Sequence, residues 1–189
     1  MTAAALELPY VNWRRVASPI DTRPLTIRQD AKGDGRFFAP RSGRRHHRGV
    51  DLVAAVGTPV RAIRSGTVIE VGAHRGLGLF VEVEHPQHLH SVYAHLNEVD
   101  VEVGARVRQG ALVGTVGKTG NARHPWITPH LHLEVLRNGE PIDPLIIGLQ
   151  TVSPPILSEQ LDALAGSQGS PDVLAKEGAG SPSDASGGE

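Results

Sequence analysis

Short apolar runs, separated by turns centred on glycine, occupy the middle of the chain. The runs are rich in Val, Ile and Thr, which favour extended backbone, and Gly, Pro, Asn, Asp or Ser lies between them. None of them continues the three-to-four-residue spacing of an amphipathic helix. The pattern therefore predicts a mainly β domain over residues 21–150, with strands at residues 50–54, 59–63, 66–71, 79–84, 91–95, 111–116 and 130–136.

Two stretches of this domain echo each other weakly. The segment Gly-Thr-Pro-Val-Arg at Gly57 is answered by Gly-Ala-Arg-Val-Arg at Gly104, and Gly-Thr-Val at Gly66 by the same triplet at Gly114. The Gly-x-x-Val pattern also recurs by chance in β proteins. If the echo is structural, two similar strand–turn–strand units fit a small barrel or a folded antiparallel sheet.

The two ends of the chain differ from the middle in composition. Residues 1–20 are expected to form a loosely ordered lead, without the basic start and apolar core of a signal peptide. Residues 151–189 are rich in Pro, Gly and Ser and bury too little apolar surface to offset the entropy of ordering, so we expect a disordered tail. No apolar run is long enough to span a bilayer, which predicts no membrane insertion.

Charge and residue content narrow the possible chemistry. The formal net charge is -1, which gives no overall attraction to nucleic acid or to an anionic membrane. Cysteine is absent, so disulfides and thiolate chemistry are excluded and any metal site must use histidines and carboxylates. Ten histidines stand against two Trp and two Tyr, which makes a histidine-rich metal site the hypothesis to test.

The clearest local pattern is the sequence His-Leu-His-Leu-Glu that begins at His130. Alternate side chains of a strand share one face, so His130 and His132 are predicted to project together while the intervening leucines face the core. Two imidazoles side by side on a strand form half of a plausible metal site. A His-x-His pair also occurs on ordinary half-exposed strands, so it is weak evidence by itself.

A second pattern is His-Arg-Gly-Val-Asp from His47 to Asp51. A bent entry into a strand would bring this imidazole and this carboxylate to one point, and Gly49 would permit the bend. Zinc accepts such mixed ligands, and three protein ligands with an open fourth position are typical of a catalytic site. His46 lies outside this spacing and is predicted to be a solvated surface residue.

A third pattern is Ser-Val-Tyr-Ala-His-Leu at residues 91–96. Strand alternation places Tyr93 and His95 together on the face opposite Val92, Ala94 and Leu96. A histidine presented in this way is suited to act as a general base or to donate a hydrogen bond to developing charge. A lone histidine of this kind is more often structural, and His74, His85, His88 and His90 are interpreted as surface residues.

Taken in order, these motifs resemble those of the lysostaphin and LytM-type zinc endopeptidases. The likeness extends to the Gly-Val-Asp-Leu-Val-Ala-Ala-Val-Gly-Thr-Pro-Val of residues 49–60, to Ser-Gly-Thr-Val at 65–68 and to residues 103–120, and covers about residues 33–145. The resemblance implies a small antiparallel β-sheet domain with a zinc site in a groove. It also implies cleavage of the stem peptides or cross-bridges of bacterial peptidoglycan, in the cell envelope, the periplasm or outside the cell.

Carried over residue by residue, the resemblance makes His47, Asp51 and His132 the zinc ligands and His95 and His130 the catalytic pair. Either of the pair would accept the proton of the attacking water while the other stabilises the oxyanion. Tyr93 is expected to line the substrate groove. The loop between Gly120 and Pro129 is longer than the commonest family form, and His124 and Trp126 within it are either substrate contacts or ordinary surface residues.

Other readings of the sequence remain open. The main alternative is a zinc-containing module that binds peptidoglycan or activates an amidase without cleaving a bond. The presence of all five candidate site residues argues against this alternative. A carrier barrel of the biotinyl or lipoyl type is disfavoured, because it would need a lysine at an exposed hairpin tip and the predicted domain offers only Lys32 and Lys118, neither in such a context. The arginine-rich run of residues 41–48 is either a solvated face or a surface that attracts anionic wall polymers or substrate carboxylates.

Overall fold

The computed structural model describes residues 16–152, and these form a mainly β domain. The tail predicted at residues 151–189 and the lead predicted at residues 1–20 lie largely outside this range. Within it there are two short 3-10 helices, Gly120–Arg123 and Pro144–Ile147, and eleven strands. The strands are β1 (Gln29–Asp30), β2 (Gly33–Asp34), β3 (Gly49–Val53), β4 (Pro59–Arg61), β5 (Gly66–His74), β6 (Gly78–His85), β7 (Leu89–Val99), β8 (Arg106–Val107), β9 (Leu112–Val116), β10 (His130–Arg137) and β11 (Glu140–Ile142).

All the named strand pairs are antiparallel. β1 and β2 form a separate hairpin, and the other nine strands form one sheet in which β11, β10, β7, β6, β5 and β8 follow one another. β3 joins the sheet by pairing with β10, and β9 links β7 to β4. The antiparallel sheet predicted from the sequence is therefore confirmed, while the strand pairing within residues 16–152 does not close into a barrel.

Each of the seven predicted strands is present, with ends that differ by a few residues. The largest difference is at β7, which extends the predicted residues 91–95 to eleven residues because both of its flanks pair with neighbours. The strands that the pattern missed are β1, β2, β8 and β11. They contain two or three residues each, too few to show alternation, and pairing with a neighbouring strand rather than local preference makes them extended.

The inward side chains of the long strands form one core. Leu131, Leu133 and Val135 of β10 are fully buried, as the alternation predicted. They pack with aliphatic side chains from β3 to β9 and with Ile20 and Ile147 outside the strands. A smaller cluster of Phe80, Val92 and Ala94 lies apart from this main core.

The internal echo of the sequence corresponds to an exchange of strands between two similar units. β4 and β5 belong to the first unit and β8 and β9 to the second, yet β4 pairs with β9 and β5 pairs with β8. Equivalent glycines donate equivalent hydrogen bonds, since Gly57 N donates to Val116 O and Gly104 N to Val68 O, each at 2.8 Å. The echo is therefore structural, and the two units complete each other's sheet edges.

The folded part begins before residue 21 and extends past residue 150. Ile20 is fully buried and bridges Val60 of β4, so the end of the expected lead packs on the domain. Val152 donates to Leu25 O at 2.7 Å and accepts from Ile27 N at 2.9 Å. No helix within residues 16–152 is long and apolar enough to cross a membrane.

Candidate metal centre

β10 brings the motifs together because it lies between β3 and β7. His132 is directly opposite Asp51 of β3 and also directly opposite Ala94 of β7. A Cβ atom at Gly49 would overlap the carbonyl oxygen of Leu133, so glycine is required there for close approach of β3 to β10. Gly49 lies in the extended strand β3, so close packing rather than the expected bend explains the glycine at this position.

Three side chains converge at this point and offer one ligand atom each. His47 Nε2 lies 3.0 Å from Asp51 Oδ1 and 3.0 Å from His132 Nδ1. His132 Nδ1 lies 2.8 Å from the same Asp51 oxygen. The three residues are buried and form a group able to hold a metal ion. Two imidazole nitrogens and a carboxylate oxygen are a donor set that zinc accepts.

The outer nitrogen of each candidate ligand histidine has a hydrogen-bond acceptor. His47 Nδ1 donates to Arg36 O at 2.8 Å, and His132 Nε2 lies 3.1 Å from Glu134 Oε1. A carbonyl or carboxylate partner fixes the proton on the outer nitrogen of a neutral imidazole, which leaves the inner nitrogen with its lone pair. Both rings and Asp51 therefore present lone pairs to one point, an arrangement that requires a proton or a cation there.

The electrostatics of the site also favour positive charge. Burial opposes charge on His132, but hydrogen bonds and attraction from Asp51 and Glu134 outweigh burial and raise its pKa to about 9. Burial raises the pKa of Asp51, yet hydrogen bonds from His132 and His47 hold this pKa well below its usual range. The residues fit a divalent cation, whose binding would displace the proton from His132.

His95 enters the site because of a bulge in β7. Leu79 and Val81 of β6 pair with Leu96 and Tyr93, so β7 carries one extra residue between them. His95 has φ 62°, a left-handed conformation that is uncommon for a residue other than glycine. A bulge re-aims a side chain across the sheet. The ring centroid of His95 consequently lies 5.0 Å from that of His130 and 5.6 Å from that of His132.

His95 and His130 are held in the same way by backbone carbonyls. His95 Nδ1 donates to Thr119 O at 3.0 Å, and His130 Nδ1 donates to Thr128 O at 2.6 Å. Their Nε2 atoms are left as acceptors, and that of His130 lies 3.7 Å from Asp51 Oδ1. Burial is the main cause that lowers the pKa of His130 and takes that of His95 to about 3. Both rings are therefore neutral at pH 7.

Tyr93 does not line the site, which corrects the expectation from the sequence. Its side chain is fully buried in the main core. Its hydroxyl accepts from Ile63 N at 2.8 Å and lies 2.9 Å from Ser91 Oγ. The alternation that placed Tyr93 beside His95 fails because the bulge lies between them. A ligand in solution cannot contact this ring.

One of the histidines interpreted as surface residues is buried. His85 is 3% exposed, with Nδ1 at 3.0 Å from Ser65 O and Nε2 at 2.7 Å from Ser91 Oγ. The chain His85–Ser91–Tyr93 is thus a structural hydrogen-bond network, and the surface interpretation of His85 is wrong. His46 is exposed, as predicted, and stacks on Phe38 with ring centroids 4.0 Å apart.

The long loop after Gly120 carries exposed aromatic side chains. His124 and Trp126 are exposed and stack with ring centroids 5.7 Å apart. Lys32 Nζ of the β1–β2 hairpin lies 5.5 Å from the centre of the Trp126 ring. In the arginine-rich run, Arg44, Arg45 and Arg48 are exposed. Whether the loop or the arginines contact a substrate stays a prediction.

Sequence reasoning missed the residues that orient the side chains of the site. Glu134 and the buried Arg28 contact His132 and Asp51 through side chains, whereas Thr119 and Thr128 act through backbone carbonyls. Glu134 could have been predicted from the sequence, since strand alternation places it on the same face as His130 and His132. The contacts of Arg28 and Thr119 join distant parts of the chain and leave no local signal, whereas the Thr128 carbonyl contacts His130 only two positions away, with no sequence pattern that marks it.

The fold and the centre together define a class. An antiparallel sheet presents a His, Asp and His group, able to hold a metal ion, beside two further histidines. Residues 45–144 match the model of peptidase family M23. The chain belongs to this family.

Named relatives and a solved structure share this region. The chain is 38% identical over 107 residues to the DD-carboxypeptidase/endopeptidase Mpg of Neisseria meningitidis, covering 57% of this chain and 24% of that protein. It is 37% identical over 123 residues to the peptidoglycan DD-endopeptidase ShyC of Vibrio cholerae, covering 65% of this chain and 27% of that protein. A zinc-containing peptidase structure from Vibrio cholerae superposes with a TM-score of 0.57 and 30% identity, covering 75% of this chain and 41% of that chain. The matched region spans about a quarter of the length of these two relatives.

Proposed function

We propose that this domain is a zinc-dependent endopeptidase that hydrolyses peptide bonds in the stem peptides or cross-bridges of bacterial peptidoglycan. The observation that carries the proposal is the convergence of His47 Nε2, Asp51 Oδ1 and His132 Nδ1 within 3.0 Å of one another. The relatives named for endopeptidase activity supply the substrate class. Such a substrate places the site of action in the cell envelope or outside the cell.

His47, Asp51 and His132 would hold the zinc ion. When bound, zinc supplies Lewis-acid polarisation of the scissile carbonyl and activation of water at neutral pH. The chain's own contribution is to direct two nitrogens and one oxygen at one point. Arg36 O and Glu134 do this by holding the outer nitrogen of each ligand histidine.

His95 and His130 would carry the proton transfers. Each ring keeps its proton on Nδ1 for a backbone carbonyl, so each presents an unprotonated Nε2 to the site. Either Nε2 is suited to accept a proton from the attacking water. The ring that instead stabilises the oxyanion would need a proton on Nε2, taken up from solvent as the negative charge develops, because its Nδ1 proton is donated to a backbone carbonyl. The assignment of the two roles stays open between them.

The test combines zinc content and cleavage on the same purified samples. We expect His132→Ala to lose both zinc and cleavage of isolated cell walls. We expect His95→Ala and His130→Ala to retain zinc and to lose about 10²–10⁴-fold in rate, the usual effect of removing a general base or an oxyanion donor. His88→Ala is the matched control, because His88 is an exposed histidine in the turn between β6 and β7.

Two results would contradict the proposal. If His132→Ala retains full zinc, the ligand assignment is wrong. If the zinc-loaded parent releases no peptide from walls of several bacterial chemotypes but still binds them, the domain is a binding or activating module instead.

A further inference from the structure

A segment before the family-matched region lies along the free edge of β3. Arg28 N donates to Asp51 O at 2.8 Å, and Asp51 N donates to Gly35 O at 2.9 Å. Gly35 N in turn donates to Arg28 O at 2.8 Å, which closes the β1–β2 hairpin beside the strand. This backbone register places the Arg28 side chain next to the side chain of the candidate ligand Asp51.

Arg28 holds one oxygen of that ligand. Its Nε and Nη2 atoms donate to Asp51 Oδ2 at 3.2 and 2.9 Å. Arg28 is only 6% exposed, so this fork acts in a buried environment, where charge-assisted bonds are strong. Because Oδ2 is engaged by the guanidinium, Oδ1 is the oxygen that faces His47 and His132. Arg28 therefore fixes the rotation of the carboxylate.

Asp30 continues the network to the other side of the site. Its Oδ1 accepts from Arg28 Nη1 at 2.8 Å, and its Oδ2 accepts from Thr128 N at 3.2 Å. The carbonyl of the same Thr128 accepts the Nδ1 proton of His130. A continuous path of hydrogen bonds thus runs from Asp51 through Arg28, Asp30 and Thr128 to His130.

We propose that Arg28 and Asp30 are positioning residues that set the metal affinity through Asp51 and the orientation of His130 through Thr128. The roles of Asp51 and His130 rest on the proposed function, but the contacts do not. Neither residue lies in the family-matched region of 45–144. The hairpin segment that carries them thus orients residues of the site, in addition to packing along the edge of β3.

The first arm of the test measures zinc binding alone, by competition of the metal-free protein with a coloured chelator. We expect Arg28→Met to weaken zinc binding about 10–100-fold, the usual effect of removing an outer partner of a ligand. Arg28→Lys keeps the charge but not the fork, so its loss should be smaller. Arg61→Gln is the matched control, since Arg61 forms an exposed ion pair with Asp21. Folding is checked by circular dichroism, and Arg28→Lys decides the outcome if Arg28→Met does not fold.

The second arm uses Asp30→Asn, which retains only one acceptor oxygen and so must lose Arg28 or Thr128. At saturating zinc we expect kcat to fall about tenfold or more with KM unchanged, and the NMR signals of the His130 ring to shift in the metal-free protein. Asp21→Asn is the control, because Asp21 is an exposed aspartate whose side chain pairs with Arg61 instead.

Parent-like zinc affinity in the folded Arg28 variants would overturn the role of Arg28. Parent-like kcat and unchanged His130 signals in Asp30→Asn would overturn the role of Asp30. If the parent cleaves no cell wall, the proposed function fails, yet zinc affinity and the His130 signals still decide this inference.

Discussion

Replacing Tyr93 with phenylalanine removes one hydroxyl group and tests whether this side chain belongs to the core or to a groove. The hydroxyl accepts the Ile63 N–H at 2.8 Å and contacts Ser91 Oγ at 2.9 Å, and all three residues are buried. Ser91 keeps its contact with His85, but the Ile63 N–H is left without a partner. An unsatisfied buried donor costs about 1–3 kcal/mol, so we expect Tyr93→Phe to lower the free energy of unfolding by about 2 kcal/mol.

For a domain of this size, 1 kcal/mol corresponds to about 3–4 °C in Tm. Differential scanning calorimetry at equal zinc loading should therefore show Tm lower by about 6–8 °C for Tyr93→Phe. At a temperature well below both transitions, kcat/KM on wall peptides should stay within a few-fold of the parent. An unchanged Tm together with a raised KM would refute the reasoning and would show that Tyr93 lines the substrate groove.

Three further outcomes follow from the structure. Burial lowers the pKa of His85 from 6.5 to about 4. As the pH falls from 6.5 to 4, the unfolded state takes up this proton and the folded state does not, so the free energy of unfolding should fall by about 3 kcal/mol. Urea unfolding should show a smaller loss in His85→Gln. Ending the chain at Pro154 should leave wall cleavage within a few-fold, whereas ending it at Leu149 should lower Tm, because the two backbone bonds of Val152 are lost. Shortening the loop between Gly120 and Pro129 should change which cross-bridge is released in a comparison of wall chemotypes, and equal losses on all of them would show that the loop is structural.

The faces of β10 follow from the sequence because alternation is a local property of a strand. His130 and His132 lie on one face and Leu131, Leu133 and Val135 on the other, as period-two spacing requires. The strands from β3 to β10 that carry a run of five or more residues were also predictable. Their Val, Ile and Thr content and their glycine turns report directly on extended backbone.

The position of His95 depended on tertiary pairing. Its sequence placed it on the same face as Tyr93, but the bulge between β6 and β7 separates the two side chains and turns His95 towards the site. A bulge is a mismatch of one residue between two paired strands, so it depends on both strands of the pair. The residues 91–96 alone contain no signal of that mismatch.

The partners of the candidate ligands were likewise decided by the fold. Arg28 lies 23 positions before Asp51, and Arg36 O lies 11 positions before His47, yet both contacts hold a ligand in place. The sequence by itself determined which residue types could bind a metal and which strand faces would present them. Only the antiparallel register determined which atoms meet, because hydrogen bonds across a sheet join residues whose separation along the chain carries no periodic pattern.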